Sequence, residues 1–303
     1  MTICDYSLSI AHQNIFLMPS SVNIKVSQNI AEQGIYIPPK PGIIDRVNDC
    51  QADLEKIGEV ISTDLGVSAA VIKIVNSAAF GLTSKISSIP QAVVMLGVER
   101  IVAILKTLLL RNTMTALDTK MDLSLFWDLS HKVAVVSSTI CRQLNLSMAD
   151  DAYTLGLFHN CGIPLLALQH DNYQEIIEYS YGREDGRITS EEFATFGVHH
   201  AAAGYRVARV WNLPKVLCLA VKHHHSVDRV LDDQTIENPS LKTLLCVLKM
   251  AENMVNLPEQ LAQCDVDFEW QNISSKVLEF TGLSEYDYID LRDAVRYTLD
   301  SDI

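Results

Sequence analysis

Asp53-Leu54-Glu55-Lys56-Ile57-Gly58-Glu59-Val60-Ile61-Ser62-Thr63 repeats apolar residues at Leu54, Ile57, Val60 and Ile61. At about 100° per residue these four share one side of a helix, and Glu55, Lys56 and Glu59 take the other. The segment therefore predicts an amphipathic helix. The same spacing recurs in residues 67–80 through Val67, Val71, Ile74 and Val75, with Gly81 placed to stop that helix in the left-handed conformation. Ser88-Ile89-Pro90-Gln91 predicts a capped start, Ser88 taking an orphan N–H and Gln91 reaching back. Gly97 is expected to bend or divide the apolar stretch that resumes through Leu110. Asn76-Ser77 reads as a polar helix end, since nothing marks Ser77 as an activated nucleophile.

Helical spacing then continues through 123–144, 149–160, 162–169, 173–181, 199–211, 215–225, 241–255, 270–280 and 285–299. No alternating strand segment, no Asn-Gly hairpin dipeptide and no internal repeat interrupts it. The expected fold class is all-α, many short helices around a shared core. Ile37-Pro38-Pro39-Lys40-Pro41-Gly42 marks an entry turn, and residues 1–35, rich in Ser, Asn and Gln, read as a loosely attached arm. A helical part over 36–117, a second over 118–230 and C-terminal helices over 231–303 complete the expected layout.

Composition narrows the function. The chain has 303 residues, 48% of them hydrophobic, with 24 Lys+Arg against 37 Asp+Glu and a net charge of −13. That apolar content excludes a disordered chain, and 13 Gly with 9 Pro exclude collagen-like sequence. The acidic balance argues against a nucleic-acid partner, which needs clustered cations for counterion release. The first 24 residues hold no Lys or Arg, so the basic start of a secretory signal is missing. Glu99, Arg100 and Lys106 interrupt the most apolar stretch, 93–110, which argues against a membrane span. Seven scattered cysteines without a Cys-x-x-Cys pair fit a reducing compartment. A cytoplasmic location is expected.

Nine histidines stand out, and six fall on predicted apolar helices of the second part: His131, His159, His199, His200, His224 and His225. Imidazoles from separate helices could converge on one transition-metal ion. Taken singly, each is better explained as a satisfied core residue. The run His223-His224-His225 would sweep about 200° of a continuous helix, so at least one of the three is expected to be exposed. No zinc-finger spacing, His-Glu-x-x-His or phosphate-cradling glycine loop is present.

Longer blocks carry a more specific signal. Ile74-Val75-Asn76-Ser77-Ala78-Ala79-Phe80-Gly81, then Ile86-Ser87-Ser88-Ile89, Gln91-Ala92-Val93 and Leu96-Gly97, resemble the signature of the HDOD family, the HD-related output domains. Trp127 with His131 and Ala134, Gly156-Leu157-Phe158-His159-Asn160-Cys161-Gly162, the block from His200 to Gly204, Trp211 to Pro214 and Ala220 to His225 match further family blocks in order. The resemblance implies an all-helical fold related to HD-superfamily metal phosphohydrolases, an HDOD domain over residues 36–230 and a role in bacterial signalling. Its expected partner is another signalling protein, and no receiver domain is evident, which reads as a stand-alone version.

Carried over residue by residue, the resemblance sets His131 at the first metal-ligand position and His159 at the His of the His-Asp pair. His200, His224 and His225 align with further ligands of two-metal relatives. The bridging aspartate position holds Asn160, and the last aspartate position holds Glu252. An amide brings no charge and cannot place an anionic oxygen on each of two cations. Two facing divalent ions would then repel with less neutralisation. One divalent transition metal (Fe, Mn or Zn), on His131, His159 and Glu252 with a further His, remains chemically reasonable. The reading that follows is a non-enzymatic signalling module acting through protein or ligand contacts, the alternative being a residual metal-dependent phosphohydrolase.

Overall fold

Short acidic and amide side chains decide where the helices begin. Asp53 accepts the Glu55 and Lys56 N–H groups at 3.1 and 3.2 Å, Asp64 accepts Val67 N–H at 3.0 Å, and Asp122 accepts Ser124 N–H at 2.9 Å. Asn238 and Asp267 do the same for two later helices. The protein is described by a computed structural model covering residues 37–76, 85–115, 119 and 121–301. The 1–35 arm, Ser77 and Gly81 lie outside the described residues.

The first group comprises α1 (Gly42–Asn48), α2 (Leu54–Ser62), α3 (Leu65–Val75) and α4 (Ile89–Thr115). Ile57 and Ile61 bury the middle of the α2 stripe, while Leu54 at its edge stays exposed. Gly97 adopts φ 77° and ψ 168°, a break inside α4 that bears out the expected bend. Ser88 caps as expected, its Oγ accepting Gln91 N–H at 3.4 Å, while the return bond lands one residue early, Gln91 Oε1 accepting Ser87 N–H at 3.1 Å. Asn76 does more than end α3. Its amide donates to Ile86 O and accepts Ile86 N–H, both at 2.7 Å, clamping the chain on either side of the intervening segment.

The second group runs through α5 (Leu123–Gln143), α6 (Ala149–Phe158), α7 (Ile163–Gln169), α8 (Tyr173–Tyr181), α9 (Ile188–Phe196), α10 (His200–Val210), α11 (Lys215–His223) and α12 (Val227–Asp232). Then come α13 (Pro239–Met254), α14 (Leu257–Ala262), α15 (Phe268–Thr281) and α16 (Glu285–Ser301). α13 and α16 pack along α5, and α11 packs on α13. No strand occurs among the described residues, so the all-α expectation holds. α1, α9, α12 and α14 have no counterpart among the expected helices: α12 and α14 hold six residues each, and α9, though as long as α2, buries only Ile188 and Glu192 and so carries no apolar stripe.

One apolar core extends from Ile37 to Val295 through both groups. Polar ties also cross between them: Trp211 Nε1–H donates to Pro38 O and Lys106 Nζ to Asn212 O, each at 3.1 Å, and Arg100 Nε donates to Asp150 at 2.8 Å. Among the described residues no helix is long and apolar enough to cross a membrane.

Candidate functional site

The buried histidines sit at helix ends rather than along helix faces. His159 follows the last residue of α6, and His200 opens α10 behind His199, whose ring accepts Ala202 N–H as its cap. α11 stops at His223, two residues before the expected end. That early stop corrects the continuous-helix picture of the triple run. His224 and His225 occupy the turn after α11 with their side chains inward, and none of the three histidines is exposed: His224 is buried and His223 and His225 are half-buried residues.

His200, His224 and His225 bring ligand nitrogens within 4.8 Å of one another. His225 Nε2 lies 3.0 Å and His224 Nε2 3.3 Å from His200 Nε2. The opposite side of each ring is tied down. His200 Nδ1–H donates to Glu192 Oε2 at 2.7 Å, His224 Nδ1–H to Val221 O at 2.7 Å, and His225 Nδ1–H to Glu269 Oε1 at 2.9 Å. Those acceptors fix the tautomer, leaving three Nε2 lone pairs aimed at one point. Glu192 is itself held by the Tyr173 hydroxyl and by His200 N–H. Burial alone would raise its carboxyl, but His200 and these donors hold it below the usual range.

Beside this group, His159 Nδ1–H donates to Gly156 O at 2.8 Å. Its Nε2 faces Glu252 Oε1 at 3.4 Å, and both atoms are buried without a hydrogen-bond partner. Asn160 lies between the two halves, its side-chain oxygen 3.1 Å from His224 Nε2, two acceptors facing each other with no proton between them. Burial drives the His159 imidazole down to about 3 and pushes Glu252 up to about 7 against the pull of Lys249. His224 and His225 are held well below the ordinary histidine range, again by burial first. His131 takes a different place: its Nδ1 faces the Tyr153 hydroxyl at 3.5 Å, and it is not one of the three converging rings.

The carboxylates have an internal counterion. Lys249 Nζ, almost wholly buried, donates to Glu252 Oε2 at 2.7 Å and to Glu269 Oε2 at 2.8 Å. Lys249 is raised despite its burial because these two carboxylates flank it. The residues present fit one divalent ion on the three Nε2 atoms, since converging lone pairs without a proton between them repel until a cation shares them. They do not fit a bridged pair: Asn160 is neutral and Glu252 is engaged by Lys249.

Glu192, Glu269 and Lys249 were not among the sequence-derived candidates. Lys249 is three residues before Glu252 on one helix face, a spacing that marks it once Glu252 is suspected. Glu192 lies on a helix the periodicity did not reveal.

A family model, the HDOD domain, matches residues 41–227. An uncharacterised protein of Treponema pallidum (strain Nichols) is 22% identical over 210 residues, covering 67% of this chain and 40% of that protein. The chain thus spans about two fifths of the length of that curated relative. Among solved structures, an HDOD domain protein of unknown function from Geobacter sulfurreducens aligns at TM-score 0.64 and 19% identity, over 88% of this chain and 94% of the other. A Marinobacter aquaeolei protein provisionally named for signal transduction aligns at TM-score 0.63 and 15% identity, over 88% and 58%. At these identities the structural likeness speaks for the fold.

Proposed function

The chain belongs to the HDOD domain family, and from that membership and the charge balance of its histidine pocket we propose a non-hydrolytic signalling module. It acts through protein or ligand contacts on another signalling protein, and its pocket serves as a regulated core rather than a catalytic centre. The observation that carries this reading is the pair of contacts from Lys249 to Glu252 and Glu269 at 2.7 and 2.8 Å. A built-in ammonium neutralises carboxylates that a two-metal hydrolase would spend on its ions, and Asn160 supplies no anion to bridge them.

One divalent transition metal (Fe, Mn or Zn) fits His200, His224 and His225. Bound there, it would supply positive charge and a Lewis-acid centre. The chain's own residues orient the rings through Glu192, Val221 O and Glu269, and the surrounding core excludes water. Occupancy would stabilise the fold by mass action, which is what a ligand-responsive module needs.

The test is a screen against phosphomonoester and phosphodiester substrates with Mn, Fe and Zn supplied in turn, on protein purified without a polyhistidine tag. No turnover above the His159→Ala variant is expected with any metal. Turnover that His159→Ala abolishes overturns the proposal in favour of hydrolysis.

A further inference from the structure

Residues 193–227 carry four basic side chains, Arg206, Arg209, Lys215 and Lys222, and no Asp or Glu, on a chain of net charge −13. They form the end of α9, all of α10 and α11, and the turn between these two. An open groove of about 640 Å³ lies there, lined by Tyr205, Arg209, Leu213, Lys215, Cys218 and Leu219, among others. That volume is within the usual range for a ligand cleft.

The lining combines charge with an aromatic face. Arg209 and Lys222 flank the half-buried Tyr205 ring, their cationic ends 5.9 and 5.6 Å from its centroid. Arg209, Lys215 and Lys222 are exposed, and among the described residues none of the three pairs with a carboxylate. Arg209 and Lys106 both act on the Cys218 thiol in the groove wall, pulling against the burial that raises it. α11 begins at Lys215 behind Pro214, which offers no side-chain cap, so its first N–H groups add to the positive end of the groove.

Across the Asn212-Leu213-Pro214 turn a neighbouring cleft is lined by Glu99, Asp150 and Asp151 together with Lys106, and Arg100 pairs with Asp150. A long polyanion would meet those acids, whereas a short acidic segment can stay within the basic side. The same two helices hold the imidazoles at their other ends. They meet at Gly204, where an added Cβ would lie 3.1 Å from Val221 Cγ1, so the groove and the pocket share one stiff support.

We propose that this groove docks an acidic peptide segment of a partner protein. Its carboxylates pair with Arg209, Lys215 and Lys222, and an apolar side chain rests on Tyr205 and Leu219. The proposal builds on the signalling reading and supplies the partner chemistry that reading leaves open. With the chain acidic as a whole, an acidic partner is repelled elsewhere and steered to this patch, which gives orientation as well as attraction.

The experiment uses the full chain and a fluorescein-labelled twelve-residue Asp/Glu peptide with a central Leu-Tyr, followed by fluorescence anisotropy at two salt concentrations. Saturable binding that weakens with salt is expected. Arg209→Glu/Lys215→Glu should weaken it at least tenfold and Tyr205→Ala several-fold. Arg209→Lys/Lys215→Arg and the remote reversal Lys73→Glu/Lys85→Glu should stay within about twofold, and circular dichroism confirms the fold of each variant. Equal loss in the remote and groove reversals overturns the proposal, because the attraction is then diffuse. So does indifference to Tyr205→Ala combined with displacement by pyrophosphate, which marks a small-anion site. Turnover in the phosphoester screen would overturn the signalling reading while leaving these affinities unchanged, so the two failures are distinguishable.

Discussion

Lys249 is the side chain on which the pocket's charge balance turns. Removing it as Lys249→Met leaves Glu252 and Glu269 buried together with no cation between them, a loss of about 3–5 kcal/mol for an uncompensated buried charge. The freed carboxylates then become available to a metal, so Zn²⁺ should raise the Tm of the variant by more than that of the native chain. Differential scanning fluorimetry with a Zn²⁺ titration reads both effects. An unchanged Tm without metal would show that the ammonium does not neutralise the pair. At this scale the sequence disclosed histidine by residue type, and it disclosed Asn160 and Glu252 by position within family blocks. It hid the acceptors Glu192 and Glu269, since an exposed and a buried glutamate are written with the same letter. Their roles come from tertiary contacts across 8 and 44 residues of chain.

Of the glycines inside helices, Gly156 makes the tightest approach, where α6 crosses α5. An added Cβ at Gly156 would lie 2.4 Å from Ala134 Cα, a backbone atom that cannot rotate away. Gly156→Ala must therefore push the two helices apart, and α6 delivers His159 at its end. The expected cost is about 3 kcal/mol or more, at the upper end for overpacking a core. Gly42→Ala, where an added Cβ meets nothing within 4 Å, should be near neutral or slightly stabilising. Urea denaturation of the two variants checks this contrast, and equal midpoints would refute it. The long α5 and α13 are legible because apolar spacing repeats over several turns, and the nine-residue α2 because its apolar residues share one clean face. The six-residue α12 and α14 give fewer than two turns. The end of α11 was misjudged because the histidine run continues the helical pattern in letters while the backbone has already turned.

Across the whole molecule, Lys106 joins the two helical groups through its bond to Asn212 O, and that tie carries a pH signature. Burial, with Lys40 nearby adding like charge and Cys218 opposing, lowers Lys106 from 10.5 to about 8. Below pH 8 the folded and unfolded chains both carry the charged ammonium, so the fold bears the full burial penalty. Between pH 8 and 10.5 the unfolded chain still binds the proton while the folded chain has released it, and stability contributed by this group rises with pH. In Lys106→Met the penalty is absent at every pH, and the lost bond to Asn212 O is a constant offset. The stability of Lys106→Met minus that of the native chain should therefore fall by about 2 kcal/mol from pH 7 to pH 10. Paired chemical denaturation at the two pH values measures that double difference, in which titrations shared by both chains cancel. A difference that stays constant would show that the ammonium is hydrated in the fold and that the junction between the groups is open to water around α4.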